Sequence, residues 1–256
     1  MSAVEKLSVT ESLARLSEIR KYAVRLIARL EAVRPPNHGD RILEVGAAAG
    51  CLTIALNDMG YQCVGIEPDA DALKTARELS SRINRECAVV EGRAERIPFP
   101  DQSFDIVLAN SVLEHVSDVD TCLSEISRVL RPGGLFWFET ASSMSPFQRE
   151  IRKFPLFGWY PDSLKKSIMR WAAQHHPELV GYTTAPAMNW FSDRVVHRKL
   201  RAAGFGAIID RWALRRENEG GRLYSAALRL IRSSRIITSL ANMVLADCAY
   251  AAVKEI

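Results

Sequence analysis

The chain has 256 residues, 48% hydrophobic and 25% charged, a make-up that excludes a disordered, collagen-like or coiled-coil protein and suffices for one large core or two modest ones. Its net charge of +4 conceals a division after Thr140: residues 1–140 hold 16 basic and 21 acidic groups, net −5, whereas residues 141–256 hold 18 and 9, net +9. The two portions are therefore expected to meet different partners.

The first 34 residues read as a helical leader, one helix or a pair, with Leu13, Leu16, Ile19, Leu26 and Leu30 near helical spacing and Pro35-Pro36 as the stop. From Arg41 short apolar runs alternate with helical segments, the pattern of parallel strands joined by crossover helices. Strands are predicted over Arg41 to Val45, Gln62 to Glu67, Cys87 to Glu91, Asp105 to Ala109 and Leu135 to Glu139. Helices are expected at Cys51 to Met59, at Ala70 to Arg82 capped by Asp69, and at Val119 to Leu130 capped by Asp118 and ended by Arg131-Pro132-Gly133-Gly134. The rhythm breaks after Thr140, where residues 141–192 are rich in Pro, aromatic and basic residues and contain a predicted helix from Asp162 to His175. A helix from Asp193 to Ala203, a strand from Gly206 to Trp212, a long helical stretch from about Arg222 to Leu245 and a closing strand from Asp247 to Val253 complete the chain.

No segment reaches the ~20 apolar residues needed to span a bilayer; Ile236 to Ala246 is interrupted by Thr238, Ser239 and Asn242. The N-terminus lacks an apolar targeting region, and the five cysteines (Cys51, Cys63, Cys87, Cys122, Cys248) are scattered without a C-x-x-C pair. That predicts a cytoplasmic setting and no structural zinc.

The segment Ile42-Leu43-Glu44-Val45-Gly46-Ala47-Ala48-Ala49-Gly50 is a strand running into a small-residue turn at a helix start, where the backbone can approach a ligand closely and free N–H groups face anionic atoms. Glu67, at the end of the second strand, is placed to accept hydrogen bonds from ribose hydroxyls, an arrangement shared with nicotinamide-binding folds. "VVEGRAERIPFPDQSFDIVLANSVLEHV" and "SRVLRPGGLFWFE" add a third strand, a Pro-Phe-Pro-Asp connection, a fourth strand ending in Ala109-Asn110, and a helix, turn and fifth strand. Together these resemble the class I S-adenosylmethionine-dependent methyltransferases, and more closely the small-molecule branch with the ubiquinone and menaquinone biosynthesis methylases.

That resemblance implies a Rossmann-like α/β fold with a seven-stranded, mostly parallel sheet, an antiparallel last strand, helices on both faces, the helical leader and a helical lid. It further implies one methyltransferase domain over 1–256, made of the leader (1–34), a cofactor-binding core (35–140), an acceptor-facing lid (141–192) and a C-terminal completion of the sheet (193–256). By the same resemblance S-adenosylmethionine is the cofactor and S-adenosylhomocysteine the product. Gly46, Ala47, Ala48 and Gly50 would cradle the methionine portion, Glu44 would reach its amino group directly or through water, and Glu67 would hold the ribose. The backbone at Arg93, Ala94 and Glu95 would face the adenine, and Asn110 would supply a carbonyl near the amino group. Two positions depart from the family pattern: Ala48 stands at the central glycine of G-x-G-x-G, and Arg93 replaces an acidic residue that usually accepts from the adenine amino group. The Ala48 methyl is tolerable if φ stays negative and otherwise costs affinity.

Methyl transfer from a sulfonium is an in-line displacement, helped by a base when the acceptor is a hydroxyl. His115 is the candidate base, with a loop-packing role as the other reading; His175, His176 and His197 are weaker candidates. No metal is expected. Arg149, Arg152, Lys153, Lys165, Lys166 and Arg170, with aromatic residues of the lid, are candidates to meet an acidic acceptor. "FPLFGWYPDSLKKSIMRW" and "APAMNWFSDRVVHRKLRAAGF" resemble methyltransferases of bacterial polysaccharide and glycolipid pathways, which implies a hydroxyl of a small, glycan or lipid-linked acceptor with negative charge, such as a nucleotide- or lipid-linked sugar. Alternatives are C-methylation of a quinone or lipid ring, and a non-catalytic cofactor-sensing or partner-binding protein. A basic amphipathic stretch within 222–245 fits either a packed surface helix or peripheral contact with an anionic membrane, placed on the inner membrane surface; nucleic acid is not favoured as a partner.

Overall fold

The structure, a computed structural model, describes residues 8–180, 185–215, 217 and 220–255. The leader is a single helix, α1 (Val9–Leu30), whose start is closed reciprocally: Ser8 Oγ accepts from the Glu11 N–H while the Glu11 carboxylate accepts from the Ser8 N–H. The first seven residues of the expected leader lie outside the described residues. There follow β1 (Arg41–Val45), α2 (Cys51–Asp58), β2 (Gln62–Glu67), α3 (Ala70–Arg82), β3 (Val89–Glu91), β4 (Phe104–Asn110), α4 (Val119–Val129) and β5 (Leu130–Ala141). After the lid, whose main helix is α5 (Asp162–His175), come α6 (Asp193–Ala202), β6 (Phe205–Asp210), α7 (Arg211–Leu214), α8 (Arg222–Ser233), α9 (Arg235–Val244) and β7 (Asp247–Lys254).

Among the described residues seven strands form one sheet in the order β3-β2-β1-β4-β5-β7-β6. The first five pair in parallel and β7 runs antiparallel between β5 and β6. Because strand side chains alternate between faces, apolar runs buried on both sides feed two cores. Ile42, Ile106, Leu108, Leu135 and Trp137 pack with Leu26 and Leu30 of α1 and Leu52 and Leu56 of α2. Leu43, Val107, Ala109, Phe136 and Phe138 pack on the other face with Leu123 and Ile126 of α4 and Val196 and Leu200 of α6. Such continuous apolar strands are what a parallel sheet covered by helices on both faces requires.

Several expected boundaries change, most by one or two residues at an element's end. Strand β3 starts at Val89 rather than Cys87. The Arg131-Pro132-Gly133-Gly134 turn is a bulge inside β5, since Phe104 pairs with Leu130 and Ile106 with Leu135, and Gly133 at φ +73 supplies its left-handed residue. Strand β6 stops at Asp210 because that carboxylate accepts from the N–H groups of Trp212 and Ala213 and caps α7. The long helix expected over 222–245 is two helices, broken where Ser234 turns extended (φ −150°, ψ 133°) and its side chain accepts from the Ile236 N–H to start α9.

Candidate active site

The strand order reverses between β1 and β4, and in open α/β sheets ligands bind at that switch point, outside the carboxyl ends of the strands. A cavity of about 520 Å³ lies there, lined by Gly46, Ala48 and Ala49 after β1, Glu67 at the end of β2 and Asp69 beyond it, Gly92 to Glu95 after β3, Asn110 at the end of β4, and Ser111, Val112, His115 and Val116 beyond it.

The first turn can lie so close to neighbouring elements only because its residues are small. Gly46 has φ +71, and a Cβ there would come 2.6 Å from Val112 Cγ2. Ala48 is exposed at the cavity wall with φ +47, so the condition under which its methyl group would be tolerated without cost does not hold. Glu67 binds this turn to its own strand: one carboxylate oxygen accepts from the Ala48 N–H at 2.8 Å and the other from the Asp69 N–H at 3.0 Å. Burial pushes its pKa up, while each oxygen keeps a second lone pair for a ligand.

Several candidates do not line the cavity: Arg149, Arg152, Lys153, Lys166 and Arg170 of the lid, His175, His176 and His197, and four more whose surroundings are specific. Glu44, Ala47 and Gly50 do not line the cavity. Glu44 is buried beneath the turn, accepts from the Thr53 hydroxyl, and has its pKa pushed up by burial to about 7. Ala47 packs against Gly65, where an added Cβ would meet it at 2.5 Å. Gly50 starts α2 in a left-handed conformation at φ +74, under Val89. Lys165, expected to face an acidic acceptor, is buried in the lid with Nζ 2.7 Å from Asp162 Oδ1 and 4.5 Å from the centre of the Trp190 ring.

Arg93, Ala94 and Asn110 do line the cavity. Arg93 Nε is 3.7 Å from Glu95 Oε2, and Glu95 Oε1 accepts from both the backbone N–H and the hydroxyl of Ser117; this ties the loop after β3 to the loop after β4. Burial opposes ionisation of Glu95, but the Ser117 bonds hold its pKa below the usual range. The Asn110 side-chain oxygen accepts from Tyr22 of α1 at 3.1 Å and from the Trp137 indole at 3.2 Å, so its backbone is fixed at the cavity edge.

His115 reaches the cavity from the same loop. Burial holds its pKa below the ordinary histidine range; the backbone at Ala185 and Pro186 pulls the other way, though none of the described residues completes a hydrogen bond to the buried Nδ1. Its Nε2 lies 3.7 Å from Glu150 Oε2. Glu114, whose carboxylate accepts from the Thr140 hydroxyl at 2.7 Å, completes the group. One ligand-capable atom from each of Glu114, His115 and Glu150 lies within 4.8 Å of the others. Glu114, Glu150 and Asp69 also stand at the site, though not expected there. Asp69 is the α3 cap, a local signal that could have placed it at the cavity mouth; Glu150 stands 35 positions from His115 and carries no local signal.

Residues 43–138 match the family model described as a methyltransferase domain. The chain carries a class I S-adenosylmethionine-dependent methyltransferase domain. The methyltransferase is 28% identical over 208 residues to a ubiquinone biosynthesis O-methyltransferase of Bradyrhizobium sp. (strain ORS 278), covering 78% of this chain and 76% of the relative. It is 29% identical over 176 residues to a demethylmenaquinone methyltransferase of Mycobacterium sp. (strain KMS), covering 68% and 70%. Its fold is shared with the geranyl diphosphate C-methyltransferase of Streptomyces coelicolor A3(2), solved with S-adenosylhomocysteine: TM-score 0.56, 16% identity, 97% of this chain and 84% of that one. S-adenosylmethionine is the cofactor of this methyltransferase, and the matches set aside the non-catalytic alternative. The small-residue cradle, the carboxylate of Glu67 and the size of the cavity fit that molecule.

Proposed function

We propose that the methyltransferase acts on a hydroxyl group of a small or lipid-linked acceptor carrying negative charge, with His115 as the base. The cofactor supplies an electrophilic methyl group. Gly46, Ala48, Glu67, Arg93, Ala94 and Asn110 would hold it, while Glu44, Ala47 and Gly50 shape the turn from beneath. The observation that carries the reading is an imidazole kept neutral by burial, opening on the cavity with a carboxylate 3.7 Å from Nε2. A neutral imidazole can take the acceptor proton, and Glu150 then stabilises the imidazolium that forms. The quinone O-methylase among the relatives supports a hydroxyl target; a phenol is the acceptor class that gains most from a base of this strength, and a glycan hydroxyl is the alternative. The excess of cations after Thr140 favours an anionic acceptor.

The test is His115→Ala, assayed with labelled cofactor against phenolic, sugar-nucleotide and lipid fractions. Turnover is expected to fall by about 10²-fold or more with cofactor affinity little changed; full activity would remove His115 from the chemistry. The rising limb of the wild-type pH–rate profile is expected below the ordinary histidine pKa.

A second reading is favoured by the convergence of Glu114, His115 and Glu150: two carboxylates and an imidazole would hold a divalent cation that positions the acceptor oxygen. Against it, burial raises the Glu114 pKa to about 7, so an ion must displace a proton there. Dialysis against EDTA separates the two. Unchanged turnover is expected for the base; loss restored by Mg²⁺ assigns the cation.

A further inference from the structure

Helices α8 and α9 turn their apolar sides outward. On α8 Leu223, Ala226, Ala227 and Leu230 recur at helical spacing and all are exposed, Leu223 at 88% and Leu230 at 58%. On α9 Ile236, Leu240 and Val244 do the same at 73%, 58% and 74%. Leu228 is the one buried residue among the described side chains of the two helices. Two successive helices presenting large aliphatic residues to solvent form a patch that soluble surfaces rarely keep uncovered.

Charge selects the occupant. Residues 211–246 contain seven arginines and two glutamates. Arg222 and Arg229 are exposed beside the apolar stripe, and Arg229 Nε stands 3.4 Å from Glu217. Arg232 donates to the backbone oxygens of Trp212 and Arg215, fastening α8 to α7. Aliphatic stripes flanked by arginine match an interface with anionic headgroups above and acyl chains below; a second copy would bring the same positive charge against itself. Position agrees with this. Helix α9 leads into β7 at Asp247, which pairs with Ala141 at the carboxyl end of β5, and the Ser142 N–H donates to the Ala246 oxygen. The patch therefore joins the sheet at the edge where the cavity opens.

We propose that α8 and α9 dock the methyltransferase on an anionic lipid bilayer, with the cavity edge of the sheet toward the membrane. The proposal does not depend on His115 or on the acceptor. It is tested by flotation of the full chain with vesicles of phosphatidylglycerol and phosphatidylcholine, and with phosphatidylcholine alone. Wild type is expected to float with the anionic vesicles and to be released as salt rises. Leu230→Gln/Ile236→Gln/Leu240→Gln is expected to lower partitioning by about 100-fold while its circular dichroism and cofactor binding stay as in wild type. Should that variant lose helix, Leu223→Gln at the most exposed position is expected to give about a tenfold loss on its own. No flotation, flotation equal on both vesicle types, or variants that float like wild type would overturn the proposal. So would a dimer in sedimentation equilibrium that these substitutions dissociate, which would assign the patch to a second copy.

Discussion

At the scale of single residues, Ala48 shows what a motif departure does once its backbone is known. The sequence shows a methyl group where a glycine is usual, but its consequence depends on φ, which no pattern of side chains reveals. At φ +47 a non-glycine residue is disfavoured by roughly 1 kcal/mol, and glycine would regain part of that against its own greater unfolded freedom. Ala48→Gly is therefore expected to leave stability within about 1 kcal/mol and to tighten S-adenosylmethionine binding several-fold, read by calorimetry; unchanged or weaker binding would show that the methyl group does not face the cofactor. Glu67 was legible for the opposite reason. A carboxylate at the last position of a parallel strand has its place fixed by register, whatever the surrounding turn does.

Secondary-structure elements were legible where a cap or a breaker marked them. Asp69 and Asp118 begin α3 and α4 where the spacing indicated, whereas Ser234 interrupts an otherwise continuous helical period, and only its side-chain bond to the Ile236 N–H reveals the break. The lid was legible as a helix but not as a packing unit. Its aromatics form a core of their own, with Phe157 against Phe154, Tyr160 and Trp190, instead of walling the cavity, which from the lid receives Ala185. Gly158, buried next to Phe157, faces the backbone of Ser145: an added Cβ would sit 1.8 Å from the Ser145 oxygen and 2.8 Å from Gln148 Nε2. A backbone oxygen cannot give way by that much. Gly158→Ala is expected to loosen the lid, displace Glu150 from His115 and lower turnover at least tenfold, with cofactor affinity close to wild type because the lid contributes so little of the cavity wall. Loss of cofactor binding together with activity would instead mean that the lid and the sheet unfold as one.

At the scale of the whole molecule, the division of charge after Thr140 falls one residue before the end of β5, where the alternation of parallel strands and helices gives way to the lid. Residues 211–246 hold seven arginines against two glutamates, so +5 of the +9 lies in this one stretch of chain. The acidic portion holds the buried carboxyls, and these decide how stability depends on pH. Burial raises the pKa of both Glu44 and Glu114 to about 7. Their neutral forms favour the fold, so that contribution is complete below the unfolded carboxylate pKa and is lost as pH rises through 7. His115 works in the other direction, because its lowered pKa favours the fold above the ordinary histidine range. Comparing wild type with Glu44→Gln cancels that opposing effect. Glutamine keeps an oxygen for the Thr53 hydroxyl and has no charge to bury, so the two proteins should unfold within about 1 kcal/mol of each other at pH 5, and the variant should be the more stable by about 1–3 kcal/mol at pH 8. Denaturant titrations at the two pH values measure this; a difference that does not change with pH would mean that Glu44 is not the group that ionises in this range.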